Sequence, residues 1–129
     1  RAALLLESLL FEFMANAPDA AKGDNNEAAI QLLYDISESL YRPFDAAKLC
    51  QNNHISLSTL KRTVSKYTGY PLNEYVHRLK IAEAKNILLN TGKTLKEIAA
   101  SLGYKDVFYF SRLFKKYVGV SPKLFRTNK

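Results

Sequence analysis

Arg62, Lys66, Tyr67 and Gly69 return, fifty residues on, as Arg112, Lys116, Tyr117 and Gly119. A guanidinium and an ammonium four residues apart lie on one side of a helix. Arginine there can donate in bidentate fashion to guanine O6 and N7, and lysine can pair with a phosphate. Other pairs share the offset: Leu60 and Val64 meet Phe110 and Phe114, Tyr75 meets Phe125, and Ser56 meets Asp106. In each copy the spacing separates a core stripe from an outer one. Leu60, Val64 and Tyr67 face inward in the first, Phe110, Phe114 and Tyr117 in the second. The outer stripes are Leu57, Ser58, Lys61, Arg62 and Ser65, then Val107, Phe108, Ser111, Arg112 and Lys115. Of these, all but Lys115 are the candidate base-reading residues. Val and Phe beside Arg are odd on a plain solvated face, and they suit thymine methyls. Lys48, Lys66, Lys105, Lys115, Lys116 and Lys123 are candidates for phosphates, with Lys61 in reach of the same strands.

Such residues need helices to carry them, and nearly every segment reads as helix. Apolar spacing predicts helices over 2–15, 27–41, 45–52, 56–67 and 72–90, then three shorter ones after Thr94, Asp106 and Ser121. Asp45, Ser56, Thr94 and Asp106 are N-caps, Thr94 with Glu97 forming a capping box. Gly69, Gly103 and Gly119 are stops, and Pro122 can open the last helix. Ile30, Leu33, Tyr34, Ser37 and Leu40 are the expected buried stripe of 27–41, with Pro43 ending it. No strand signal stands out. Each copy is a short helix, a tight turn and a second helix. Leu49 and Cys50 match Ile98 and Ala99, with one residue more in the second turn. Gly103 gives that turn its freedom; the first copy has His54 there, a less suitable residue. The helix over 72–90 rises about 28 Å, near the roughly 34 Å of one DNA turn.

The fold class expected is therefore all-α: two helix-turn-helix subdomains of homeodomain-like form, 27–71 and 92–128, joined by the helix 72–90. Residues 17–26, with Pro18, Gly23 and a polar run, read as a linker. Residues 1–16, bearing Leu5, Leu6, Leu9, Leu10, Phe13 and Met14, read as a helical stub of an upstream domain.

Charge is unevenly shared. Residues 1–45 hold three Lys/Arg against eight Asp/Glu, and residues 46–129 hold sixteen against four. So basic a second part points to a polyanionic partner, though a solvated basic surface has the same composition. One cysteine, Cys50, excludes an internal disulfide and a cysteine-rich metal site; it reads as a small core residue. His54 and His77 have no ligand spacing and read as turn and surface residues. No paired carboxylates, Ser/His/Asp order or phosphate-cradling glycine loop is present, so no enzyme, metal or cofactor is expected. The apolar run near the start is too short to span a bilayer.

Ile98-Ala99, Leu102-Gly103-Tyr104, Asp106, Tyr109-Phe110-Ser111-Arg112, Phe114-Lys115-Lys116, Gly119, Ser121-Pro122 and Phe125-Arg126 resemble the AraC/XylS-type signature. Tyr75-Val76, Lys80-Ile81, Ala84 and Ile87-Leu88 are similar to that family's connecting helix. The likeness covers roughly residues 27–128. It implies a sequence-specific, double-stranded-DNA-binding bacterial transcription regulator with two recognition helices in successive major grooves. It also implies a cytoplasmic, nucleoid-associated location, RNA polymerase as a partner, an upstream sensor domain in the same protein, and a dimer at full length. Three positions depart from the pattern. Lys80 stands where Arg is usual, weakening any bidentate contact there. Phe108 replaces a small polar residue, and Thr63-Val64 a bulkier aromatic. The competing reading is a basic helical module that docks on an acidic protein. Arg62 and Arg112 at matched positions weigh against it.

Overall fold

The computed structural model describes residues 23–127, which hold seven helices and no strand. They are α1 (Gly23–Ser37), α2 (Ala46–Asn53), α3 (Leu57–Thr68), α4 (Leu72–Asn90), α5 (Leu95–Ser101), α6 (Val107–Val118) and α7 (Pro122–Thr127). The expectations for residues 1–16 and for most of 17–26 lie outside the described residues.

Every predicted cap forms. Asp45 accepts from the Lys48 N–H at 3.1 Å, Ser56 from Thr59 at 3.2 Å and Asp106 from Phe108 at 2.8 Å. Thr94 and Glu97 exchange backbone and side-chain bonds at 2.8 and 3.1 Å. Each such cap is worth about 1 kcal/mol. Gly69 and Gly119 end α3 and α6 in the left-handed region. His54 does the same for α2 at φ 56, ψ 43, the one non-glycine residue with positive φ among those described.

The described residues fall into two compact units, 23–39 with 45–76, and 40–44 with 77–127. In the first, Ala29, Leu32, Leu33 and Ile36 of α1 are buried, with Leu49 of α2, Leu60, Val64 and Tyr67 of α3, and Leu72, Tyr75 and Val76 from the start of α4. The core of the second is Ile81, Ala84 and Leu88 of α4, Ile98 and Ala99 of α5, Leu102 and Tyr104 of the turn, and Phe110, Leu113 and Phe114 of α6. Phe125 of α7 packs edge-on to Phe114, ring centroids 5.5 Å apart.

Three expectations need correction. The first helix begins at Gly23, inside the stretch read as linker, and ends at Ser37, well before Pro43. The Ser37 and Ser39 hydroxyls donate to the carbonyls of Tyr34 and Ile36 at 2.7 and 2.8 Å, competing with continuation of the helix. Its buried stripe is 29, 32, 33, 36 and 37, so Leu33 and Ser37 are buried as expected, with Leu40 beyond the helix end, while Ile30 and Tyr34 stay 45% and 43% exposed. Both stripes have helical spacing, and contact with α2 and α3 selects between them. Finally, 72–90 is not a free connector: its first turn belongs to one core and its remainder to the other.

Residues 40–44, which carry no motif, are built into the second unit. Leu40 is fully buried, and the Tyr41 hydroxyl donates to the buried Glu83 carboxylate. Lys80 Nζ donates to the Arg42 carbonyl at 2.9 Å and to the Leu102 carbonyl at 2.7 Å. Gly103 lies against the same segment at φ +84, where a Cβ would stand 2.5–2.7 Å from Arg42 and Pro43 backbone atoms.

Candidate nucleic-acid interface

In the first unit the candidate face is the outer side of α3. The Ser56 cap fixes where that helix starts, and Leu60, Val64 and Tyr67 bury its opposite side. Leu57, Ser58, Lys61, Arg62, Ser65 and Lys66 are therefore all exposed. A weak 3.4 Å bond from Arg62 Nη2 to Thr59 Oγ1 leans the guanidinium along the helix and leaves its other donors available. Lys48 is exposed on α2.

In the second unit α6 plays the same part. Arg112, Lys115 and Lys116 are exposed, with Lys105 before the helix and Lys123 on α7. Phe108 is 73% exposed, the most open large apolar side chain among those described. Val107 and Ser111 are half-buried, and Val107 packs against the core. The structure thus leaves Val107 and Ser111 less surface than the period alone suggests. Lys66, Lys115 and Lys116 sit in the last turns of α3 and α6, where a cation also offsets the negative end of the helix dipole.

Tyr109 is a residue that pattern reading passed over as a face residue. It is 41% exposed, and the Arg112 guanidinium lies 6.0 Å from its ring centroid. An aromatic three residues before an arginine on a helix was the available signal. Behind it, His77 meets Tyr109 edge-on at 6.2 Å and stacks on Tyr104 at 5.7 Å. His77 Nδ1 lies 2.7 Å from the Tyr104 hydroxyl. Burial holds the Tyr104 phenol well above its usual range, so its hydroxyl stays protonated beside the ring nitrogen. Burial first, then Lys80 and Lys116, push His77 below its ordinary value. It is a half-buried bonded residue and not the surface residue expected.

Lys80 is no base contact either. It is 3% exposed and its ammonium serves two backbone carbonyls, with burial lowering its pKa to about 8. Arg126 is also structural, donating to the Leu88 and Thr91 carbonyls at 3.2 Å each. Cys50 is half-buried instead of fully in the core. Among the described residues no group of three His, Cys, Asp or Glu could hold a metal ion, and no helix is long and apolar enough to cross a membrane.

Two capped helices, each presenting arginine and lysine over a short helix and a tight turn, define a helix-turn-helix DNA-binding domain. A family model described as a helix-turn-helix domain matches residues 49–128. The chain belongs to this family, in its AraC/XylS-type branch of transcription regulators. It is 30% identical over 110 residues to the HTH-type transcriptional activator RhaR of Cronobacter sakazakii, covering 84% of this chain and 39% of that one. With RhaR of Klebsiella pneumoniae the identity is 32% over 111 residues, covering 85% and 40%. The chain thus spans about two fifths of the curated relatives it matches. Among solved structures, the C-terminal domain of the two-component response regulator yesN from Fusobacterium nucleatum is 32% identical with a TM-score of 0.72, covering 78% of this chain and 98% of that one. The DNA-binding domain of the global transcriptional factor AdpA, solved with a target DNA, shares the fold at TM-score 0.73 and 20% identity, covering 78% and 91%. Family membership decides for DNA against the protein-docking module.

Proposed function

We propose that α3 and α6 each enter a major groove of one duplex and read it with Leu57, Ser58, Lys61, Arg62 and Ser65, and with Val107, Phe108, Ser111 and Arg112. The observation that carries this reading is the matched pair Arg62 and Arg112, exposed at the same position of two capped recognition helices. Lys48, Lys66, Lys105, Lys115, Lys116 and Lys123 hold phosphates. Tyr109 joins the second face by steering Arg112. Phe108 supplies an apolar contact where a thymine methyl fits. The two half-sites lie about one helical turn apart. The parent protein works in the cytoplasm as a transcription regulator that engages RNA polymerase, and an activator is the outcome the named relatives favour.

Selection from a random duplex library gives the preferred site. On that site Arg62→Ala and Arg112→Ala each weaken binding by roughly 1–3 kcal/mol and relax one half-site apiece. Inserting about five base pairs between half-sites, half a turn, turns the second onto the far side and abolishes two-site affinity. Unchanged binding after that insertion rejects the two-groove reading.

A further inference from the structure

The first unit holds an open cleft of about 390 Å³ between α1 and α3, within the range of about 300–1,000 Å³ common for small-molecule sites. Ala28, Ala29 and Leu32 of α1, with Ile55 before α3, give it an apolar floor. Arg62 and Lys66 line it as well, and among the described residues no carboxylate does. Both cations lean on its walls: Arg62 reaches Thr59 Oγ1, and Lys66 Nζ sits 5.4 Å from the Tyr67 ring centroid. The repeat shows why the cleft is open. In the second unit the matching Tyr117 carries Lys116 at 5.4 Å and, in addition, Arg78 from α4 at 4.8 Å. In the first, α1 brings alanines to this wall, and their short side chains leave the space unfilled.

We propose that this cleft binds a small amphipathic anion, a carboxylate on an apolar body, with Arg62 and Lys66 pairing the carboxylate. Charge complementarity selects the occupant. Two cations on the described lining favour one anionic end, and the alanine, leucine and isoleucine floor favours an apolar remainder. Resting on the base-reading role proposed for Arg62, the consequence is regulatory: a bound carboxylate holds the guanidinium against the α1 side and withdraws it from DNA.

The probe is benzoate, with benzamide as its uncharged isostere, titrated into the whole 129-residue chain and followed by amide resonances. Benzoate produces saturable shifts at Ala28, Ile55, Thr63 and Tyr67, with affinity of roughly millimolar order for so small a ligand. Benzamide binds at least about fivefold more weakly, since it lacks the charge-assisted bonds. Ala28→Met fills the cleft from an exposed helical position outside the DNA contacts. It lowers benzoate affinity by a similar factor and leaves duplex affinity unchanged. At constant ionic strength, with chloride replacing benzoate in the control, benzoate weakens duplex binding by the unsubstituted chain more than by Ala28→Met. Equal binding of benzoate and benzamide, shifts away from the cleft, or wild-type benzoate affinity in Ala28→Met overturns the proposal. Benzoate titration without DNA and duplex titration without benzoate fail separately, so a wrong cleft and a wrong DNA reading are told apart.

Discussion

Gly103→Ala tests the packing of residues 40–44 against the second helix-turn-helix turn. Two separate penalties meet at this glycine. Its φ of +84 asks an L-residue to enter the left-handed region, at a cost of about 1–2 kcal/mol. A Cβ would also stand 2.5 Å from the Arg42 carbonyl carbon and 2.6 Å from Pro43 N, against a comfortable separation of about 3.5–4 Å. Those are backbone atoms, so the whole segment must shift. Lys80 is bonded to the Arg42 carbonyl, so the shift also loosens a buried ammonium. Overpacking of this kind costs about 1–3 kcal/mol, for a total of roughly 2–5 kcal/mol. Gly119→Ala in the same unit isolates the backbone part, since φ is +101 there and nothing lies within 4 Å of the added Cβ. Urea unfolding followed by hydrogen exchange at core amides of each unit is the assay. Gly103→Ala should destabilise amides of Ile98, Phe110 and Phe114 by at least 1 kcal/mol, a margin set by the overpacking term, more than Gly119→Ala does. Amides of Leu60 and Val64 in the first unit should change little. Equal effects of the two substitutions would refute the close-approach argument. Gly103→Val, with a branched Cβ, should leave the second unit largely unfolded.

Affinity for a duplex should fall by roughly three decades between 50 and 200 mM salt if about six phosphates are engaged; fluorescence anisotropy at stepped salt reads this, and a nearly flat response removes the phosphate assignment. His54→Gly should raise the melting temperature, since it relieves a left-handed residue worth about 1 kcal/mol; unchanged melting would count against that strain. Lys80, at about 8, binds fewer protons folded than unfolded between pH 8 and its ordinary value, so its contribution to stability rises with pH across that window. Above about pH 10, Tyr75 and Tyr104, whose folded values are raised by burial, contribute in the opposite direction. Melting curves should therefore climb from pH 8 toward 10 and then turn down, and Lys80→Met should lack the climb. On the acid side His77, lowered when folded, loses stability as pH falls below its ordinary value, and His77→Gln should flatten that limb.

The caps, the glycine stops and the outward arginines were legible in the chain because each is set by residues within a turn or two of one another, and the repeat was legible because the same local pattern occurs twice. Asp45, Ser56, Thr94 and Asp106 satisfy backbone donors in their own first turn, whatever packs behind them. Arg62 and Arg112 face outward because the residues at core spacing on the same helices are apolar. The tertiary structure decided what depends on distant partners. The buried stripe of α1 was chosen by α2 and α3 from two stripes with equal spacing. Lys80 became an internal donor because the Arg42 and Leu102 carbonyls, 38 and 22 residues away, converge on it. Residues 40–44 joined the second unit through Leu40, Tyr41 and the close approach at Gly103; the period marked Leu40 as buried but not which core takes it. The cleft beside Arg62 exists because alanines from α1 meet α3 across the first unit. Sequence spacing fixes which way a side chain points on its own helix, but only the fold fixes what stands opposite it.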